Sequence, residues 1–384
     1  MVYITVKQGP RYHQLTLEEF LFGTGNVVVY DNTTENTKTY KRENNEIPQK
    51  LRELYDVNAL VQKLRDFNEK TEDIRGVSDR HDLYRSFHIP KRSGHGLRQI
   101  DAPNDRLMGA LRELKGIFEN DFSALYHTSA FAYIRHRSTI KCVERHQKNE
   151  SRWFGKFDLS NFFGSTTMEF VLQQFGMIYP FSEVLAREDG RAEFTKAIEL
   201  AFLNGGLPQG TPISPLITNV MMIPIDFELA NTFRDFGNQK FIYTRYADDF
   251  LVSSKYDFKI GEVQQEIIDV LSKFNAPFSL NREKTRYGSS SGRNFNLGIM
   301  LNKDNQMTIG SQKKRQFQAM LSNFVQDSVH NNMWDLNDVQ VLEGLRNYYT
   351  MIEGEAIDNI VAKLGAKYGV NIRSMIKEQL KGGI

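Results

Sequence analysis

Among 384 residues there is one cysteine, Cys142. A lone thiol forms no internal disulfide and builds no cysteine zinc cluster. A reducing, intracellular compartment is the default expectation. No apolar stretch approaches the roughly 18 residues that a membrane helix needs. The opening MVYITVKQGPRYHQ has neither the apolar centre nor the small-residue cleavage site of a secretion signal. A cytoplasmic protein with no membrane partner is expected. Net charge is scarce as well: 49 Lys and Arg against 47 Asp and Glu leave +2, so the whole chain does not advertise a polyanionic partner. Internal repeats and low-complexity tracts are also lacking, which sets aside repeat architectures.

The charge that is present is unevenly placed. Between Arg75 and Lys156 stand 16 Lys or Arg against 9 Asp or Glu, with six of the eight histidines. A basic sector within a near-neutral chain is the footprint expected of phosphate binding. A solvated basic face has the same composition, and charge alone does not separate the two. The chain is long enough to bury a large core, and its length predicts two or three subdomains.

The pattern along the chain is mixed. NVVVY (Asn26 to Tyr30) and TKTYKR (Thr37 to Arg42) flank a polar stretch and predict a hairpin with a long loop. Apolar residues at helical spacing predict a helix from Leu51 to Phe67. FHIPKRSGHGLRQI, Phe87 to Ile100, reads as strand, glycine turn and strand, and Asn104 or Asp105 caps a helix to about Phe118. A strand from Trp153 to Phe157 ends at Asp158. Helices are predicted over Thr167 to Phe175, Ala192 to Leu203, Ser214 to about Phe227 and Gly261 to Phe274, with a Gly/Pro loop from Gly205 to Pro215. Phe241 to Tyr246 and Phe250 to Ser254 form a hairpin around Ala247, Asp248 and Asp249. Amphipathic stretches at about 311–325, 336–350 and 355–368 follow.

The carboxylates carry the chemistry. Nucleotidyl transfer needs two divalent cations about 3.5–4 Å apart, one activating the attacking 3′-hydroxyl and one steadying the leaving pyrophosphate. Mg²⁺ takes oxygen ligands, a few of them carboxylates. Asp158 at a strand end and Asp248 with Asp249 at a tight turn offer that set. Two adjacent aspartates at a turn are by themselves ordinary, because Asp is a common turn residue.

The order of motifs changes that reading: FDLSNFF, then GLPQGTPISPLITN, YADDF, LNREKT and NLGI. It resembles the ordered motifs of bacterial reverse transcriptases of the retron and group II intron type, over roughly residues 85–310. The resemblance implies an α+β right-hand polymerase fold with fingers, a palm built on an antiparallel sheet, and a helical thumb. It implies an N-terminal extension over 1–80, fingers and palm over 81–310, and a thumb over 311–384. Asp158, Asp248 and Asp249 match the metal-binding carboxylates, with Mg²⁺ as cofactor and the Leu159 carbonyl as a further ligand. Phe163 matches the aromatic under the sugar that excludes a 2′-hydroxyl. Gln209 matches the residue beside the incoming nucleotide, where Gly206 and Gly210 would let backbone approach. Lys91 and Arg98 match the grip on the triphosphate, and Lys284 the lysine proposed to protonate pyrophosphate. Leu297 and Gly298 fall in the strand that holds the primer end, and Gly344 to Tyr349 in the thumb face toward template and primer. Arg135 and Arg137 resemble a template-contacting segment. Bland readings stand beside these: Lys284 as a solvated lysine, Phe163 as core like Phe162, Arg135 and Arg137 as a solvated pair. His127, His136 and His146 read as RNA-facing or structural, and the aromatics near Tyr133 as core.

The expected partners are an RNA template, a DNA product and deoxynucleoside triphosphates, with a partner protein or second copy open. The chain offers no room for an RNase H domain and shows no maturase or HNH-type motif. CVERH stands where retrons usually carry NAxxH, and a thumb VTG is absent. These departures point to a defence-associated, abortive-infection-type enzyme copying a dedicated noncoding RNA. Alternatives are a retron-type or mobile-element enzyme, a catalytically dispensable RNA-binding scaffold, and a primase or RNA-copying RNA polymerase.

Overall fold

The computed structural model describes residues 56–90, 96–122, 126–234, 236–292, 294 and 296–382, together with the backbone of four N-terminal strands. Those strands, β1 (Thr5–Gln8), β2 (Arg11–Gln14), β3 (Asn26–Asp31) and β4 (Thr37–Lys41), form an antiparallel meander, with Val28 opposite Thr39. The hairpin expected from NVVVY and TKTYKR is therefore present.

The chain divides into two compact units. One holds residues 1–138, 155–252 and 259–286; the other holds 139–154, 253–258 and 287–384. This division differs from boundaries at 80 and 310. In the first unit, α1 (Val57–Lys70) starts at Val57 because the Asp56 side chain accepts from the Ala59 amide. The first part of the helix predicted from Leu51 lies outside the described residues. Leu60, Val61, Leu64 and Phe67 form its buried stripe, so residues 57–70 belong to the core of this unit.

Beyond α1 come a two-stranded ribbon, β5 (Tyr84–Pro90) and β6 (Leu97–Pro103), and α2 (Asp105–Phe122). Then follow β7 (Trp153–Asp158), the single turn α3 (Phe162–Ser165), α4 (Met168–Phe175), α5 (Phe181–Ala186) and α6 (Glu188–Glu199). The Asn68 amide of α1 donates to the Glu193 carbonyl and carboxylate of α6 at 2.9 and 2.7 Å. Phe118, Phe175, Phe181 and Phe194 meet ring to ring, with centroids 4.9–6.2 Å apart, and join α2, α4, α5 and α6. Each such buried ring contributes about 1.5–3 kcal/mol.

The helix predicted over Ser214 to Phe227 is two helices, α7 (Ser214–Met221) and α8 (Ile223–Thr232), broken at Met222. The sheet that carries the aspartates has the strand Arg286–Ser289, then β7, then β9 (Asp249–Ser254), then β8 (Phe241–Tyr246). β9 starts at Asp249, one residue earlier than expected. Helix α9 (Ile260–Lys273) completes this unit.

The second unit contains the helix Thr139–Lys148, the short pair β10 (Met300–Leu301) and β11 (Met307–Thr308), α10 (Ser311–Val329), α11 (Leu336–Tyr368) and α12 (Ile372–Gly382). The gap expected between 350 and 355 is a kink: Glu353 leaves helical geometry inside α11 (φ −145°, ψ 58°). Its carboxylate accepts from Thr308 Oγ1, the Ile309 amide and Lys314 Nζ at 2.7, 3.2 and 2.6 Å. Leu297 and Gly298 (φ 55° and 86°) form a two-residue turn between Asn296 and Ile299, whose amides and carbonyls bond reciprocally. Two consecutive positive φ values are those of a type I′ hairpin turn. No helix among the described residues is long and apolar enough to cross a membrane.

Candidate active site

Three backbone segments of the first unit converge on the carboxylates. β7 ends at Asp158, which is 6% exposed. The β8–β9 hairpin turns through Ala247 and Asp248, with Ala247 in the left-handed region (φ 58°), a conformation that costs a non-glycine residue about 1–2 kcal/mol. The Asp248 carbonyl accepts from the Leu159 amide at 3.0 Å, which stitches the hairpin to the end of β7. On the other side, the Asn281 amide donates to the Asp158 carbonyl at 2.7 Å. The Asn281 side chain caps the Glu283 and Lys284 amides. The NREKT turn is thus fastened to the same strand end.

Each outer carboxylate has a lysine. Lys284 Nζ lies 2.9 Å from both oxygens of Asp158. Lys156 Nζ lies 3.0 Å from Asp249. Asp248 has neither lysine as a close partner. Burial, then the charges of Asp249 and Asp158, push its carboxyl up to about 6. Burial also raises Asp249, against the opposing pull of Lys156. A half-buried cluster of three carboxylates calls for positive charge, and its donors are hard oxygens; that chemistry fits a divalent cation such as Mg²⁺. Among the described residues no three His, Cys, Asp or Glu side chains stand at metal-ligating spacing; Asp158 and Asp249 are each engaged by a lysine.

In front of these groups opens a cleft of about 860 Å³ whose lining includes Arg98, Tyr133, Phe163, Gln209, Asp248 and Lys284. Phe162 is buried at 2% exposure against Phe278, whereas Phe163 is half-buried and faces the cleft. The loop bearing Gln209 is held from two sides. The Leu207 amide donates to the Phe163 carbonyl at 3.0 Å, and the Asp101 amide of β6 to the Gln209 carbonyl at 2.8 Å. Gly206 and Gly210 lie at these contacts and also line the cleft. A Cβ on Gly206 would stand 2.3 Å from the Gly164 carbonyl oxygen, and one on Gly210 2.9 Å from Ile100.

The remaining expected residues separate. Lys91 lies outside the described residues. Arg135 is exposed. Arg137 instead turns inward, its guanidinium donating to the carbonyls of Tyr126, His127 and Ala130. His127 and His146 are buried; His127 Nδ1 accepts from the Ser129 amide, and His146 Nδ1 lies 2.6 Å from Ser253 Oγ.

Sequence reasoning missed three features. Lys156 is two residues before Asp158, so the period of a strand places both on one face; that signal was legible. Arg245 and Asp226 form an ion pair with 0% exposure on both sides. The Arg245 fork donates to both oxygens of Asp226 at 2.8 and 2.7 Å and reaches the Ala247 carbonyl and the Asn219 Oδ1. Tyr133, expected in the core, is 58% exposed.

Residues 89–320, more than half of the chain, match the family described as reverse transcriptase (RNA-dependent DNA polymerase). The chain belongs to the reverse transcriptase family. The α+β right-hand polymerase fold expected from the motifs is the fold of this enzyme. This reverse transcriptase is 27% identical to the retron Ec83 reverse transcriptase of Escherichia coli over 305 residues, covering 78% of this chain and 91% of that one. It is 25% identical to the retron Ec73 reverse transcriptase of the same organism, covering 65% and 79%, and 26% identical to the retron Mx65 reverse transcriptase of Myxococcus xanthus, covering 73% and 64%. The similarity to these retron enzymes stands beside the two motif departures, CVERH and the absent thumb VTG. Among solved structures it is similar to telomerases from Candida albicans, solved with a TWJ fragment of telomeric RNA, and Candida tropicalis. Identities are 12% and 14% and TM-scores 0.42 and 0.45, over 79% and 77% of this chain and 60% and 62% of theirs.

Proposed function

We propose that the reverse transcriptase is of retron type, and that it copies a dedicated, structured noncoding RNA into DNA with Mg²⁺ as cofactor. The observation that carries this reading is the cleft lined by Asp248, whose carboxylate feels the neighbouring charges of Asp249 and Asp158. When bound, a pair of divalent cations supplies activation of the 3′-hydroxyl and neutralisation of the leaving pyrophosphate. Asp158 and Asp248 would hold them, with Asp249 and the Leu159 carbonyl alongside. Lys284, whose ammonium rests 2.9 Å from both Asp158 oxygens, would be the proton donor to pyrophosphate. Arg98, on the exposed ribbon, faces the polyphosphate; a guanidinium fork suits phosphate oxygens. Phe163 lies under the sugar and leaves no volume for a 2′-hydroxyl, and Gln209 stands beside the incoming nucleotide. Arg135 contacts the template RNA, while Arg137 shapes the loop that presents it. The helices of the second unit act as the thumb.

Primer extension with Mg²⁺ on an RNA template tests the assignment. Asp158→Asn and Asp248→Asn each lower synthesis by more than a hundredfold while the melting temperature stays near that of wild type, since an amide is a poorer Mg²⁺ ligand and carries no charge. Activity within tenfold of wild type in either variant overturns it. Sequencing the RNA that co-purifies, and the DNA made on it, identifies the template. A biological role in antiphage defence is part of this reading, on the motif departures CVERH and the absent thumb VTG; phage plating with and without the locus checks it, and equal plaque counts across a broad panel would remove that role.

A further inference from the structure

Tyr133 has no assigned role and an unusual setting. It follows three buried residues, Ala130, Phe131 and Ala132, which are 1%, 8% and 0% exposed. Its own backbone is left-handed (φ 59°), a conformation that disfavours a bulky side chain and persists only where the surroundings impose it. Those surroundings are the buried polar network behind the aspartate hairpin. The Phe131 amide donates to the Arg245 carbonyl at 2.8 Å, and the Arg245 amide to the Ser129 carbonyl at 2.7 Å. The Asn219 side chain donates to the Ala132 carbonyl at 2.8 Å while its oxygen accepts from the Arg245 guanidinium. That guanidinium also holds the Ala247 carbonyl. One arginine thus fixes the turn that aims Asp248 and the segment that aims Tyr133.

The ring is aimed into the catalytic cleft, where it shares a wall with Arg98, Phe163 and Asp248. Its hydroxyl feels that position: crowding by protein raises its pKa, and the Asp248 charge adds to the rise. An exposed phenol held rigidly outward above carboxylates offers a flat apolar face and no charge. That face does not suit phosphate or metal. It suits a nucleobase, because aromatic side chains stack on every base irrespective of sequence.

We propose that Tyr133 is a binding residue whose ring stacks on a nucleobase at the catalytic position and so holds the nascent pair over Asp248. This rests on the polymerase reading above, which wild-type extension of the same primer and template tests separately. The probe is an RNA–DNA heteroduplex with 2-aminopurine as the templating base, and, in a second arm, 2-aminopurine deoxynucleoside triphosphate as the incoming base. Wild type and Tyr133→Phe quench the fluorescence in whichever arm holds the stacked base, whereas Tyr133→Leu does not. Losing one stacked base raises the KM for deoxynucleotide roughly tenfold or more in Tyr133→Leu, with kcat within about threefold of wild type and Tyr133→Phe restoring it. Quenching by Tyr133→Leu equal to that of wild type in both arms, or an unchanged KM, overturns the proposal. Because the side chain is exposed, the variants keep the wild-type melting temperature; a collapse of Tyr133→Phe would assign the ring to packing and would equally overturn it.

Discussion

Two kinds of carboxylate–cation pair surround the aspartate hairpin, and they are built differently. Behind β8, Asp226 meets Arg245 with both side chains fully buried, and Asp226 also accepts from the Tyr243 hydroxyl at 2.8 Å. In front, Asp158 and Asp249 meet lysines that keep 60% and 29% of their side chains exposed. Behind, the partner is a rigid fork that satisfies two oxygens in fixed geometry. In front, it is a point charge on a flexible stem. A structural pair is made hard to exchange. The front pairs, which on the proposed mechanism give way to a cation, are made with lysine.

The sharpest break of this contrast is to remove one rear partner. Arg245→Met leaves Asp226 buried and unpaired, at an expected cost of about 3–5 kcal/mol. Denaturant melts measure it. Arg245→Met combined with Asp226→Leu recovers much of that loss, because no uncompensated charge remains. A double variant no better than the single one would mean that the network matters for shape and not for charge.

The same contrast separates two neighbouring rings. Phe162→Ala empties a buried site and costs about 3–5 kcal/mol of stability. Phe163→Ala costs far less, because its ring faces the cleft. It instead lowers discrimination against ribonucleotides by about a hundredfold, some 2.7 kcal/mol, read by single-nucleotide incorporation of the two sugars. Unchanged sugar selectivity removes Phe163 as the gate.

The smallest effect sharpens the front. Lys156→Met removes a partly exposed pair worth about 0.5–1 kcal/mol. Without metal its melting temperature falls by about 1 °C; with Mg²⁺ it rises more than that of wild type, because no ammonium competes for Asp249. Equal Mg²⁺ shifts in the two proteins would mean that Lys156 does not compete with the cation.

This division also explains what was legible in the sequence. Asp158, Asp248, Asp249, Phe163, Gln209 and Lys284 stand in short motifs whose order survives in the linear text; the structure brings Phe163, Gln209, Asp248 and Lys284 to one cleft, with Asp158 and Asp249 beside Asp248. Arg245 sits in a strand and finds its partner on a helix; nothing local marks it as buried. Tyr133 follows Phe131 and Ala132 and reads as their continuation, since the left-handed backbone that throws it outward leaves no trace in composition. The break at Met222 was hidden because apolar residues run through it on every side, and α8 is buried around most of its circumference. The kink at Glu353 showed as a lapse in amphipathic pattern, but its latch to Thr308, Ile309 and Lys314 is tertiary.

The close approach of Gly206 to Gly164 has a consequence for redesign. The two backbones touch with no side chain between them, so the helical turn carrying Phe163 and the loop carrying Gln209 pack directly on one another. A methyl group at 206 would not simply perturb its own loop; it would wedge the two apart and shift both walls of the nucleotide pocket together. Transplanting either segment alone into another polymerase would carry half of a joint, and effects at 163 and 209 would not combine additively.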